Sequence, residues 1–252
     1  MYKIAVPKNL KDIYKMSNKK FESSDPLGEI AKKYKSVKEV FLDLNKPDKL
    51  TDAIYGEPDE EGKYLFPMME EPDPGVEPHK GFIGDQSSYW HNENLKEHAC
   101  YVAYHLRNAG LNLQKAGYLG VLHDCGKKYC AETNHAGEVW FNDHEYISAL
   151  LVACWTKDWH WMLKEAERKE LIAIIYGHMQ CLLEWHKGTP ESAKIENDFV
   201  AEVTEFLGNE TAALRVYGLV CILGTCDEGA RGGAPVDKKI IEEGEKIISL
   251  TV

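Results

Sequence analysis

Tyr118-Leu119-Gly120-Val121-Leu122-His123-Asp124-Cys125-Gly126-Lys127 sets an apolar run against a histidine, an aspartate and a glycine. At helical spacing His123 lies four residues after Leu119, so its ring leaves the face that packs into a core. A polar ring on that face, next to a carboxylate, must find hydrogen bonds or bind something. The glycine that follows predicts a helix over 113–125 stopped at Gly126, with imidazole and carboxylate converging from its last turn. Neutral imidazole plus carboxylate is a ligand set for a borderline-to-hard divalent ion. The dipeptide alone decides little. With ten histidines and fourteen aspartates in 252 residues, chance supplies a His-Asp pair about half the time.

Working outward, the same pattern returns on neighbouring segments. His98 falls on the stripe Leu95, Val102, Leu106, again a histidine facing a core. Ala213, Val216, Val220 and Leu223 lead at helical spacing to Asp227, a carboxylate that is costly on such a face unless a cation neutralises it. His144 stands in the first turn of a predicted helix and His178 at the end of another. The helices read from caps and breakers run from Asn92 or Asn94 through Asn108 (stopped by Gly110), from Asn142 through Trp155, and over about 158–178, 190–207, 210–227 and 236–249. β-Branched alternation is nearly absent. The expected fold is all-α, an irregular helical bundle over residues 89–252.

Residues 1–88 read as an N-terminal extension packed on or capping that core. They hold a helical piece over Ile30–Leu44 and a breaker-rich stretch over 57–78, with five prolines, two glycines and eight acids against one lysine. That acidic loop carries a net −7 of the chain's formal −11, which leaves the helical body closer to neutral. An acidic chain repels phosphate backbones at long range, which argues against a nucleic-acid partner. There is no membrane-length apolar run, and charges fall where a signal peptide needs its apolar core. The seven cysteines are odd in number, lack any CxxC spacing and sit mostly among apolar neighbours, as reduced buried thiols do. A soluble, cytoplasmic protein is expected.

The ordered set His98, His123-Asp124, His144, His178, Asp227 resembles the HD superfamily of metal-dependent phosphohydrolases, over roughly residues 90–233. The resemblance implies an all-α domain with one or two divalent metals (Mn, Fe, Co or Ni, with Mg also compatible) in the bundle core. It makes His98, His123, Asp124 and Asp227 the ligands of the principal ion. In two-metal members, residues placed like Asp124, His144 and His178 bind a second ion, with Asp124 bridging. In one-metal members, His144 and His178 hold the substrate phosphate instead. All six positions are present, so both arrangements stay open. Lys127 matches the lysine often found after the His-Asp-x-Gly segment, where it would hold a phosphoryl oxygen. The segment Cys226 to Gly233 is also similar to the Asp-x-x-Ala-Arg-Gly turn of HD domains attached to transfer-RNA nucleotidyltransferases, which offers Arg231 as a phosphate clamp. No nucleotidyltransferase domain is legible in these 252 residues.

The activity this implies is hydrolysis of a phosphoester or phosphoanhydride by metal-activated water, with Asp124 orienting the water or taking its proton. The resemblance implies a nucleotide or cyclic nucleotide as substrate, and an acidic molecule suits a small phosphorylated substrate better than a polymer. Two other readings share the ligand set: an HD-type di-iron oxygenase, and a non-catalytic nucleotide-sensing or interaction module. Secondary candidates are His91 at the site mouth, His135 and Glu138 near substrate, and the cluster Trp155, Trp159, His160 and Trp161. His105, seven residues after His98, reads as a hydrogen-bonded core histidine.

Overall fold

The computed structural model describes residues 6–18, 95–130, 132–133, 135, 139–158, 163–184, 189–230 and 236–251. The predicted helical piece at 30–44, the acidic loop at 57–78 and the caps Asn92 and Asn94 lie outside the described residues. Nine helices occur among the described residues: α1 (Leu10–Ser17), α2 (Leu95–Asn108), α3 (Leu113–Leu122), α4 (Lys127–Cys130), α5 (His144–Trp155), α6 (Glu165–Glu184), α7 (Pro190–Leu207), α8 (Glu210–Gly229) and α9 (Lys238–Ser249). The fold is an all-α bundle. The one β feature among the described residues is a two-residue antiparallel ladder, β1 (Glu132–Thr133) on β2 (Val139–Trp140).

Short polar residues set most of the helix starts. The Asn112 side chain accepts from the Lys115 N–H, and that of Asn209 from the Ala212 N–H. Thr189 forms a capping box with Ser192 ahead of Pro190. Past α2 the chain turns through Gly110 at φ 88°, a left-handed conformation that glycine adopts without penalty.

α8 is the hub. It is buried nearly all round, from Ala212 to Gly229, as a helix at the centre of a bundle must be. It packs against α2, α6, α7 and α9, while α2 pairs with α3, α5 with α6, and α1 lies against α5 and α7. Fully buried side chains such as Leu106, Leu119, Leu150, Ile172 and Phe199 fill the spaces between them, each worth about 1.5–3 kcal/mol relative to exposure. No helix of the described residues is long and apolar enough to cross a membrane.

Three expected boundaries are corrected, and each correction bears on the site. First, α3 ends at Leu122, not at Cys125, and His123 is its C-cap. Gly126 is not a left-handed stop. It is needed for close approach, since a Cβ there would lie 2.4 Å from the His144 carbonyl oxygen and 2.6 Å from the Ser148 nitrogen. Its N–H donates to Ser148 Oγ at 2.8 Å, so the turn after α3 is bonded directly to α5.

Second, α5 is not capped by Asn142. The residue before it is Asp143, in the left-handed region at φ 63°, and no side chain caps the helix. The Asp143 carboxylate instead accepts from Lys8 Nζ at 2.7 Å. Third, the helix expected over 158–178 is a single 3-10 turn at Thr156–Asp158 followed by α6 from Glu165. Thr156 Oγ donates to the Val152 carbonyl, and the Lys164 N–H is accepted by Glu167, which ends one helix and begins the next. His178 therefore stands inside α6 and not at its end.

Candidate metal centre

Six side chains from five places in the chain meet in the middle of the bundle. His98 comes from α2, His123 from the C-cap of α3 and Asp124 from the turn after it. His144 is the first residue of α5, His178 lies within α6, and Asp227 sits in the last turn of α8. The apolar stripes carry them inward. Leu95, Val102 and Leu106 bury fully beside His98, as do Ala213, Val216, Val220 and Leu223 on the face that ends in Asp227. All six are buried.

The six fall into two overlapping groups. Ligand atoms of His98, His123, Asp124 and Asp227 lie within 4.8 Å of one another, and so do those of Asp124, His144 and His178. Asp124 belongs to both through different oxygens. Its Oδ2 is 3.4 Å from His98 Nε2 and 3.3 Å from His123 Nε2, whereas its Oδ1 is 3.0 Å from His144 Nε2 and 3.6 Å from His178 Nε2. Asp227 Oδ1 is 2.8 Å from His98 Nε2.

Ring orientation follows a common rule. His123 Nδ1 is 2.9 Å from the Gly120 carbonyl, His144 Nδ1 is 2.8 Å from that of Phe141, and His178 Nδ1 is 2.6 Å from that of Ile175. A carbonyl only accepts, so each Nδ1 carries a proton, and in the neutral ring Nε2 then turns a lone pair inward. This is how a backbone fixes the tautomer of a metal-binding histidine.

The consequence is a cluster of acceptors. His144 Nε2 and His178 Nε2 are 3.2 Å apart, two lone pairs facing each other unless a cation or proton lies between. His123 Nε2 is buried without a hydrogen bond of ordinary geometry, and Asp124, with Oδ2 2.6 Å from Lys127 Nζ, is the one described carboxylate that four imidazoles approach. With the four rings neutral, two buried carboxylates stand against one buried ammonium, Lys127, which leaves one negative charge on the group. The two buried groups of imidazole and carboxylate donors thus fit a divalent metal ion.

The two described histidine shifts run in opposite directions. Burial by itself would raise the Asp124 carboxyl, but His123, Lys127 and His144 around it outweigh that and hold it well below the usual carboxylate range. Burial lowers His123 more than the nearby carboxylates raise it. Burial also opposes charge on His178, but its bond to Asp124 and the charges of Asp124 and Asp227 prevail and raise it. The thiols stand aside: burial pushes Cys125 and Cys226 upward, so both remain neutral and neither offers a thiolate.

Lys127 is 4 % exposed, with its ammonium 2.6 Å from Asp124 Oδ2 and 5.4 Å from the centre of the Phe141 ring. Of the secondary candidates, His135 is exposed in a turn and His105 is half-buried against Tyr104. Trp155 is buried. Arg231, His91, Glu138, Trp159, His160 and Trp161 lie outside the described residues. Two contributors escaped the reading of the chain as a string of helices. Ser148 binds the Gly126 backbone, and Phe141 both carries Lys127 and accepts from His144. Only the sequence positions of Phe141, three before His144, and Ser148, four after it, hinted at either.

No family model, curated protein or solved structure matches the chain.

Proposed function

We propose that this protein is a metal-dependent phosphohydrolase of the HD type, cleaving a phosphoester or phosphoanhydride of a small substrate, a nucleotide or cyclic nucleotide. The observation that carries the reading is the division of Asp124, with one oxygen toward His98 and His123 and the other toward His144 and His178. A carboxylate shared in this way suits two ions, the first held by His98, His123, Asp124 and Asp227, the second by Asp124, His144 and His178. Divalent ions bound there would supply Lewis acidity to a phosphoryl oxygen and lower the pKa of a bound water to about 7.

The chain's own residues do the rest. Asp124, ionised at the junction of the two groups, orients the attacking water. Lys127 lies on that carboxylate and turns to a phosphoryl oxygen, where its charge counts more in a buried site than in water. Arg231, four residues beyond Asp227, is the second cation assigned to the phosphate. If a single ion is used, His144 and His178 bind the phosphate themselves. A net charge of −11 makes these local cations necessary for any anionic substrate, and favours a small one.

Elemental analysis of protein purified without chelator comes first. A panel of nucleotides, cyclic nucleotides and generic phosphoesters with Mn, Mg, Co and Ni follows. Metal-dependent release of phosphate or nucleoside monophosphate is expected, with His123→Ala at least about 100-fold slower. No hydrolysis across the panel, or His123→Ala equal to wild type, overturns the reading. Two irons per chain with oxygen consumed on substrate would replace it with the oxygenase.

A further inference from the structure

We infer that Lys8 is a positioning residue for the second metal site, acting through the residues that flank its two histidines. The inference rests on the metal-binding half of the proposed function and not on the reaction. Lys8 lies 135 residues from Asp143 in sequence, yet its Nζ donates to Asp143 Oδ1 at 2.7 Å. Its backbone carbonyl accepts from the Tyr176 hydroxyl at 3.2 Å. Asp143 directly precedes His144, and Tyr176 stands two residues before His178. One residue thus touches the chain beside both histidines of the trio, on two different helices.

The attachment of this segment is firm on one side and polar on the other. Leu10 and Ile13 are fully buried, and the Leu10 N–H donates to Glu202 Oε1 at 2.8 Å. The one proton of the Tyr176 hydroxyl is shared between the Lys8 carbonyl and Glu202 Oε2, 2.9 Å away, so α1, α6 and α7 share one bonded knot. Tyr14 is bonded to Glu165 and Arg168, and Lys11 to Glu205. From this base Lys8 reaches Asp143, the one described non-glycine residue with positive φ.

That conformation is the reason a tether is useful. A left-handed aspartate is tolerated but not favoured, and α5 begins there without a side-chain cap. The carbonyl that orients His144 belongs to Phe141, just upstream, so the lie of residues 141–143 decides where His144 Nε2 points. The Lys8–Asp143 pair is exposed, at 62 % and 48 %, and contributes little to global stability. Its use is local: it selects one backbone arrangement ahead of a ligand, the part that outer partners play at metal sites.

The test is titration of the metal-stripped 252-residue chain with Mn²⁺, followed by calorimetry and by electron paramagnetic resonance of the free ion. His144→Ala identifies which of the two uptake events belongs to the trio. Lys8→Ala is expected to weaken that event about fivefold and Asp143→Ala about tenfold, while the event at the His98 group moves less than twofold. Asp143→Asn keeps an acceptor for Lys8 and tolerates the left-handed region, and is expected within threefold of wild type. Thermal midpoints of the metal-free variants are expected to match. The inference is overturned if either alanine variant stays within twofold at the trio, if both events weaken equally, or if wild type has no His144-dependent event. A protein that binds Mn²⁺ as expected but hydrolyses nothing sinks the proposed reaction and leaves this inference standing.

Discussion

At the scale of single residues, Asp124 has more to do than any other side chain. It is buried, paired with Lys127, and split between two sets of imidazoles. Asp124→Asn preserves shape but removes the charge that both groups share, so both uptake events should be lost together. The expected loss exceeds the roughly 100-fold ceiling seen when outer partners of a metal ligand are changed. Mn²⁺ titration of the variant reads this directly, and retention of either site at wild-type strength would contradict it. The members of the buried cluster were legible in the sequence because each lies on or just beyond an apolar stripe where a polar group has no cheap alternative. His105 shows the limit of that logic. It shares the face of His98 but lies two turns away, half-buried against Tyr104, and takes no part in the cluster.

At the scale of elements, the decisive feature is the contact between the turn after α3 and the first turns of α5. Helix positions were readable from caps and breakers, since Asn112, Thr189, Asn209 and Gly110 each act locally. The exceptions are places where a tertiary contact replaces a local signal. Gly126 looked like a helix stop, but its missing side chain makes room for α5. Asn142 looked like a cap, but the contact that matters is made by Asp143 with Lys8, which no window of neighbouring residues contains. Gly126→Ala would press a methyl group into the His144 carbonyl and Ser148, backbone atoms that cannot rotate away. A destabilisation of about 3 kcal/mol is expected, read by urea unfolding of the metal-free protein. A change under about 0.5 kcal/mol would mean that the turn yields freely.

At the scale of the whole molecule, ligands from residue 98 to residue 227 converge only when α2, α3, α5, α6 and α8 are packed together. An ion held by either group would bind the folded state and find nothing equivalent in the unfolded chain, so it would stabilise the fold. Saturation at about 100 times the dissociation constant corresponds to about 2.7 kcal/mol, which for a chain of this size raises the melting midpoint by about 5–10 °C. Differential scanning calorimetry with Mn²⁺ against EDTA checks the sign and the size, and an unchanged midpoint would contradict ion binding at this site. The hydrogen bonds from His123, His144 and His178 to carbonyls three residues back have a different consequence. Each ring takes its aim from its own stretch of backbone, whereas the spacing between rings is left to how the helices stack. Donor direction and donor separation are thus governed by different parts of the molecule. Because an ion's radius must match that separation, a bound metal's fit would respond to core positions such as Ser148 without any change among the six side chains.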